Sequence, residues 1–514
     1  MHNAPISKTP SAARVLVALA VARIVLQTLA NSHYGFHRDE LATLDDAHYL
    51  AWGYVAYPPL TPFIARGALE LFGPFLPGIR FFAALAQGVA LVLAGLMARE
   101  LGGRRWAQII AGLAVAIAPV SLAAGSLFQY VTFDYLWWVA VAYFVIRLLN
   151  SEDPRWWVAI GATIGVGMMT KYTMAFLVAG LAAGIIVTPA RRFLASRWLW
   201  CGVAASLLIL LPNVIWQVQH GFISLDFLSS IHARDIRIGR TKGFLIEQLF
   251  VPANVATIPL WIAGLYFYFF APEGGRYRAI GWMFAVPLAL FAIAQGRGYY
   301  MAPAYPMLLA AGAVQWEQRM STQAPRSARF LRARTYGALA VGAVVGVAFT
   351  VPIPPVNSTW WKIGSKVSDD WREEIGWREL ADTVALLRNS LPAEDRARLG
   401  ILAGNYGEAG AIDLYGPSLG LPKAISGTNS YWLRGYGEPP PETLIVLGFS
   451  RGFVERTFES CELASHTGNR YGVRNEETSE HPDIFVCRRC GSPGPSSGTG
   501  SGISASASID PAPR

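Results

Sequence analysis

Roughly eleven apolar segments, each near the length of a bilayer crossing, run through this chain at about 12–31, 80–98, 107–124, 132–149, 156–170, 173–188, 198–216, 245–270, 279–295, 299–315 and 336–353. A span needs about 20 largely apolar residues to cross a hydrocarbon core about 30 Å thick. The pattern predicts a polytopic α-helical membrane protein. With 53% of its 514 residues hydrophobic and 15% charged, the chain departs from the composition of a soluble enzyme.

A formal net charge of +9 would by itself suggest nucleic acid, but the cations lie where membrane topology puts them. With the N-terminus cytoplasmic, the short inner loops hold Arg99, Arg104 and Arg105, then Arg147 and Arg155, then Arg191, Arg192 and Arg197, then Arg276 and Arg278. The loop after the tenth span adds Arg319, Arg326, Arg329, Arg332 and Arg334, whereas outer loops such as that around Gln129 carry few cations. We therefore expect a multi-pass protein of the inner (plasma) membrane, no nucleic-acid partner, and a C-terminal region outside the cytoplasm. Lys8 and Arg14 ahead of the first apolar core resemble a signal peptide, but the length of that core favours an uncleaved span.

From about Pro354 the composition becomes that of a soluble domain. WREEIGWRELADTVALLRNSLP reads as one amphipathic helix, while RLGILAGNY, ETLIVLGFS and DIFVC read as strands, which predicts a small α/β domain. The expected division is a membrane domain over 1–353 with an outer loop at 32–79, an α/β domain over 354–490 and a disordered Gly/Ser/Pro tail over 491–514. Cys461, Cys487 and Cys490 lie in the outer region, where at most one disulfide forms among the three.

Chemistry-bearing side chains gather on the outward side. His37, Arg38, Asp39, Glu40, Asp45, Asp46 and His48 fill the first outer loop, Asp134 opens the fourth span, and Lys171 separates the fifth from the sixth. Asp226, His232, Arg234, Asp235 and Arg237 follow the seventh span, and Arg297, Tyr299 and Tyr300 open the tenth. An ionisable residue at the edge of a span marks function by default. Helix capping by Asp134 and snorkelling by Lys171 are the plainer alternatives.

The run HRDELATLDDAHYLAWGYVAYPPLTPFIARG resembles the first outer loop of bacterial membrane glycosyltransferases related to the dolichyl-phosphate-mannose protein mannosyltransferases and the lipid A aminoarabinose transferase, glycosyltransferase family 39 in the wide sense. TFDYLWW, MMTKYTMAFL, LPNVIWQVQHGF, GRGYYMAPAYPMLLAAGA, GNYGEAGAIDLYG and SGTNSYW continue the resemblance in order across nearly all of the chain. It implies the GT-C fold and inverting transfer of a sugar from a polyprenyl-monophosphate donor to an extracytoplasmic glycan, lipid or protein hydroxyl. It further implies Asp39 as the base with Glu40 as its partner or an acceptor anchor, and Lys171 on the donor phosphate with further contacts from Arg38, Arg297, Tyr299 and Tyr300. Asp134 would bind the acceptor or hold the first loop.

In GNYGEAG a glycine recurs every third residue, which is not the dinucleotide fingerprint. Asn405, Tyr406, Glu408 and Asn429 are instead candidates for contacts with an acceptor or for ordering turns. Asp39, Glu40, Asp134 and His232 have the oxygen-rich chemistry of a magnesium or manganese site, yet a monophosphate donor beside Lys171 lessens the need for one, so no metal and no cofactor is expected. The rival class is a transporter or flippase for an envelope glycolipid; its site would lie near the bilayer midplane.

Overall fold

The computed structural model describes residues 11–490; the expected tail at 491–514 falls outside the described residues. Every predicted apolar segment coincides with helix, but not every one is a single long span. Among the described residues, six helices are long and apolar enough to cross a membrane: Ala13–Ala30, Leu76–Glu100, Tyr130–Ser151, Arg197–Gln219, Pro272–Ile293 and Pro325–Thr350. Two more candidates are bent pairs, Arg105–Ala116 with Pro119–Ser126 at 62° and Met174–Val187 with Pro189–Ala195 at 103°. Trp156–Met168 and Val255–Phe269 are shorter apolar helices.

Proline explains most of the departures. Ala118 and Thr188 precede Pro119 and Pro189 and are extended, because the proline ring disfavours helical geometry in the residue before it. The segment expected at 245–270 breaks around Pro252, and Asn254 caps the turn that restarts it by accepting from the Ala256 N–H. The segment expected at 299–315 begins as a 3₁₀ turn, Gly298–Ala304, and becomes the α-helix Tyr305–Ser321.

Small residues set the closest helix contacts, as membrane bundles require. A Cβ on Gly161 would lie 1.9 Å from the Gly202 carbonyl oxygen, so Trp156–Met168 and Arg197–Gln219 touch backbone to backbone.

Outside the bundle, β1 (Leu399–Ala403), β2 (Ala424–Ser426), β3 (Thr443–Leu447), β4 (Phe458–His466) and β5 (Asp483–Cys490) form one sheet in the order β2-β1-β3-β5-β4. The first three are parallel, and β5 runs antiparallel to both β3 and β4. Cys461 and Cys487 face each other across β4 and β5 and are disulfide-bonded. The predicted single helix at WREEIGWRELADTVALLRNSLP is interrupted: Gly376, at φ +101°, separates Asp370–Glu373 from Trp377–Ser390.

The segment at 32–79 and this α/β layer share a hydrophobic core. Leu41, Leu44 and Ala47 of the Arg38–His48 helix pack with Leu380, Val384, Ala409 and Ile412 and with Ile445 and Val486 of the sheet. The glycine spacing of GNYGEAG makes that approach possible. A Cβ on Gly407 would meet the Arg38 Cβ at 2.8 Å, and one on Gly410 would meet the Leu41 Cβ at 2.7 Å. Gly410→Leu is therefore expected to force the two helices apart and destabilise the protein by about 1–3 kcal/mol, the usual cost of overpacking. A thermal melt in detergent measures it, and an unchanged midpoint would refute the close contact.

Candidate active site

Three elements meet at one end of the bundle: the Arg38–His48 helix, the turn at 169–173 that carries Lys171, and the segment from Arg297 to Ala304. His37 caps the first of them. Its side chain accepts from the Asp39 backbone N–H while Glu40 accepts from the His37 N–H, so Asp39 and Glu40 sit in the first turn where the helix dipole favours negative charge.

The two acids then diverge, since neighbours on a helix point about 100° apart. The Asp39 side chain is 35% exposed. The Tyr406 hydroxyl donates to its Oδ1 at 2.8 Å and the Gln129 amide to its Oδ2 at 3.2 Å. Burial opposes its charge, but His37, Arg38, the Tyr406 hydroxyl and Arg297 outweigh that and hold its pKa below the usual carboxylate range. Asp39 is therefore ionised at neutral pH, with part of its surface open.

Glu40 is fully buried. Arg80 grips both of its oxygens, Nε to Oε1 at 2.8 Å and Nη2 to Oε2 at 2.7 Å, and the Phe128 N–H donates to Oε1 at 2.8 Å. The same guanidinium reaches Glu374 at 3.1 Å and the Gly35 carbonyl at 3.1 Å. Glu40 thus faces the interior of the protein, away from any approaching hydroxyl.

Lys171 lies among three aromatic rings. Its Nζ is 4.3 Å from the centroid of Tyr300 and 5.5 Å from those of Tyr299 and Tyr130. Burial pushes the ammonium down to about 8, with Asp134 pulling it up and Arg297 pushing it further down. Arg297 donates to Asp235 through Nε at 2.6 Å and Nη2 at 2.5 Å. Its charge acts on both Asp39 and Lys171, so base candidate and cationic cage share one electrostatic neighbourhood.

The other predicted residues are placed differently. Arg38, expected on a donor phosphate, is ion-paired with Glu476 at 2.6 Å, Glu477 at 3.2 Å and Glu373 at 3.9 Å, so its charge is already engaged by three carboxylates. Asp134 is buried, accepting from Trp138 Nε1 at 3.1 Å and Thr173 Oγ1 at 3.2 Å, so it braces the Lys171 turn rather than an open face. Asn405 caps the Tyr406–Tyr415 helix by accepting from the Gly407 and Glu408 N–H groups. Glu408 is inside the α/β layer, where it accepts from the Gly404 N–H and burial raises its pKa to about 8. Of the acceptor candidates in that layer, Tyr406 alone among Asn405, Tyr406 and Glu408 touches Asp39.

Arg80, Gln129, Tyr130 and Arg434 were not anticipated. Arg434 bridges the layers, pairing with Asp45 and with Asp46, the latter at 2.5 Å, while the Tyr57 hydroxyl donates to Asp46 at 2.6 Å. Gln129 and Tyr130 stand just upstream of the TFDYLWW motif, separated from it by Val131, and Arg80 is a charge at the edge of an apolar segment. That placement at a span edge is the signal that was available.

Residues 56–216 match the family model described as dolichyl-phosphate-mannose-protein mannosyltransferase. The lipid A galacturonosyltransferase RgtD of Rhizobium johnstonii is 28% identical over 214 residues, covering 39% of this chain and 44% of that protein. The undecaprenyl phosphate-alpha-4-amino-4-deoxy-L-arabinose arabinosyl transferase 1 of Pseudomonas fluorescens Pf0-1 is 26% identical over 309 residues, 55% of this chain and 52% of that one. The chain thus spans about half the length of these curated relatives. The crystal structure of ArnT from Cupriavidus metallidurans bound to undecaprenyl phosphate superposes with a TM-score of 0.58 at 15% identity, over 92% of this chain and 97% of that one. The chain thus shares the fold of that structure along nearly its whole length, and within it residues 56–216 are similar in sequence to the dolichyl-phosphate-mannose-protein mannosyltransferase family.

Proposed function

We propose that the protein transfers a sugar, with inversion, from a polyprenyl-monophosphate donor to a hydroxyl of an envelope glycan, lipid or protein outside the cytoplasm. The observation that carries this reading is the ionised, part-exposed Asp39 carboxylate sharing one neighbourhood with the Lys171 and Arg297 cations. An acceptor oxygen attacks the anomeric carbon as its proton passes to Asp39. The anomeric C–O bond to phosphate breaks, and the polyprenyl phosphate leaves with the bonding pair, its charge met by Lys171 and Arg297. Glu40, Arg80 and Asp134 hold these groups in place. In this reading residues 1–353 are the membrane domain, 354–490 the outer domain of an inner-membrane protein, and the Tyr406 hydroxyl orients the base.

Transfer tests the proposal directly. The full chain in nanodiscs is offered a panel of radiolabelled polyprenyl-phosphate sugars with an envelope extract, and label moving to the acceptor fraction is the expected result. Donor hydrolysis without transfer, or no consumption of any donor in the panel, would overturn it.

The position of Lys171 also predicts a pH dependence. A phosphate dianion favours the protonated lysine, and the free enzyme loses that proton as the pH rises through about 8. Affinity for polyprenyl phosphate should be full below that value and fall by about tenfold per pH unit above it, the slope of one linked proton. Titration calorimetry from pH 7 to 9.5 gives the slope; a flat profile in the wild type, or the same slope in Lys171→Met, would separate Lys171 from the phosphate.

A further inference from the structure

The end of the bundle away from Asp39 holds a recess of about 600 Å³, lined by Trp316, Arg319, Gln323, Arg326, Ser327, Phe330 and Leu331. Tyr305–Ser321 starts beside Tyr299 and Tyr300 and ends at this recess, so at 1.5 Å per residue the two sites lie about 25 Å apart along that helix. We propose that the recess binds the phosphate head of an anionic phospholipid, with an acyl chain lying along the outer face of the Pro325–Thr350 helix.

The chemistry of the two walls argues for this occupant. One wall is cationic: Arg319 and Arg326 are exposed, and among the described residues neither they nor Arg329, Arg332 and Arg334 have a carboxylate within 4 Å. The acid beside them, Glu317, is already engaged, accepting from the Arg104 N–H at 2.6 Å and the Ala107 N–H at 3.2 Å at the start of the Arg105–Ala116 helix. The Ser327 hydroxyl and the Gln323 amide add neutral donors to the two guanidiniums. Two planar forks facing one recess suit a phosphodiester, which accepts bidentate pairs.

The other wall is apolar and opens sideways. Phe330 is 71% exposed, and its helix is a candidate span with only 17% of its apolar window buried inside the protein. On the helix face of Phe330 come Ala333 and Arg334 and then, a turn further on, Gly337, Val341 and Val344, the two valines 66% and 71% exposed. From Gly337 onward this strip is apolar and exposed, and it leads away from the arginines. A soluble phosphate would use the cations and leave the strip idle; a phospholipid uses both. Topology rules account for basic residues at a span end. They do not account for two of them converging with a serine on one recess above an apolar track.

The test uses the purified full chain in detergent micelles, titrated with dioleoyl phosphatidylglycerol and, in parallel, dioleoyl phosphatidylcholine, with bound lipid counted by native mass spectrometry. The wild type should retain one phosphatidylglycerol selectively. Arg319→Gln/Arg326→Gln should weaken it by about tenfold or more, the effect expected of removing two cations at a lipid phosphate. Arg329→Gln/Arg332→Gln removes the same charge from the same surface outside the recess and should change affinity less than about threefold. Equal loss in both pairs, equal retention of phosphatidylcholine, or displacement of the lipid by 10 mM inorganic phosphate, about the concentration of a strong buffer, would overturn the proposal. Should the neutral pair fail to insert, Arg319→Lys/Arg326→Lys decides the matter, because it keeps the topological charge and loses the bidentate geometry. Weaker retention by that pair supports the site, and unchanged retention removes it.

Discussion

Asp39→Asn is expected to lower the turnover number for sugar transfer by about 10²–10⁴-fold, the usual contribution of a positioned general base, while leaving the melting temperature and donor affinity near their wild-type values. The substitution keeps the size of the side chain. The Tyr406 hydroxyl still has an oxygen to donate to, and Gln129 can turn its own amide oxygen toward the new NH₂, so the hydrogen bonds at Asp39 survive in altered form. What is lost is the negative charge that takes the acceptor proton. The pH profile carries a second expectation. Because the pKa of Asp39 lies below the usual carboxylate value, its activity is present above that value and is lost only as the pH falls through the lowered one. The acid limb of kcat should therefore lie below that of an ordinary aspartate. Turnover by Asp39→Asn within tenfold of wild type, about 1.4 kcal/mol in barrier, would remove Asp39 from the chemistry whatever the pH profile showed.

The membrane part was legible because apolar runs of span length have few other uses, and the acids between them stood out. The number of spans was harder to read. Hydropathy registers the apolar stretch but not the break within it, and only the geometry at Ala118, Thr188 and Asn254 shows where the helices bend or restart. At the site, the sequence placed Asp39 and Glu40 together, and their divergence follows from which helix face the fold covers. One local clue existed: His37 and Glu40 have the three-residue spacing of a capping box, which already engages the glutamate. Asn405 three residues before Glu408 is likewise a helix start. Arg38 could not be assigned locally, because Glu476 and Glu477 lie more than 430 positions further along the chain. The glycines of GNYGEAG carried a correct signal of close approach, whose partner turned out to be the Arg38–His48 helix.

Arg80→Met should be the most destabilising single change near the site. Arg80 and Glu40 are both fully buried, and the guanidinium also serves Glu374 and the Gly35 carbonyl. Removing one partner of a buried ion pair costs about 3–5 kcal/mol, because the remaining charge is left without compensation. Here that charge is Glu40, which retains the Phe128 and His37 N–H groups and loses its cation. The damage should reach activity through geometry: Glu40 closes the capping box that starts the Arg38–His48 helix, so its displacement moves Asp39. The double variant Glu40→Gln/Arg80→Met provides the control. With the Glu40 charge gone, it should unfold at a higher temperature than Arg80→Met alone, in which Glu40 and Glu374 both lose their cation, and its destabilisation should fall short of the sum of the two single changes. Transfer assayed on the same preparations separates positioning from catalysis, since a positioning role predicts that activity and stability recover together in the double variant. A double variant as unstable as the sum of its parts would mean that the two residues act independently, and that the helix bearing Asp39 is held by its apolar contacts with Ala409 and Ile412 instead.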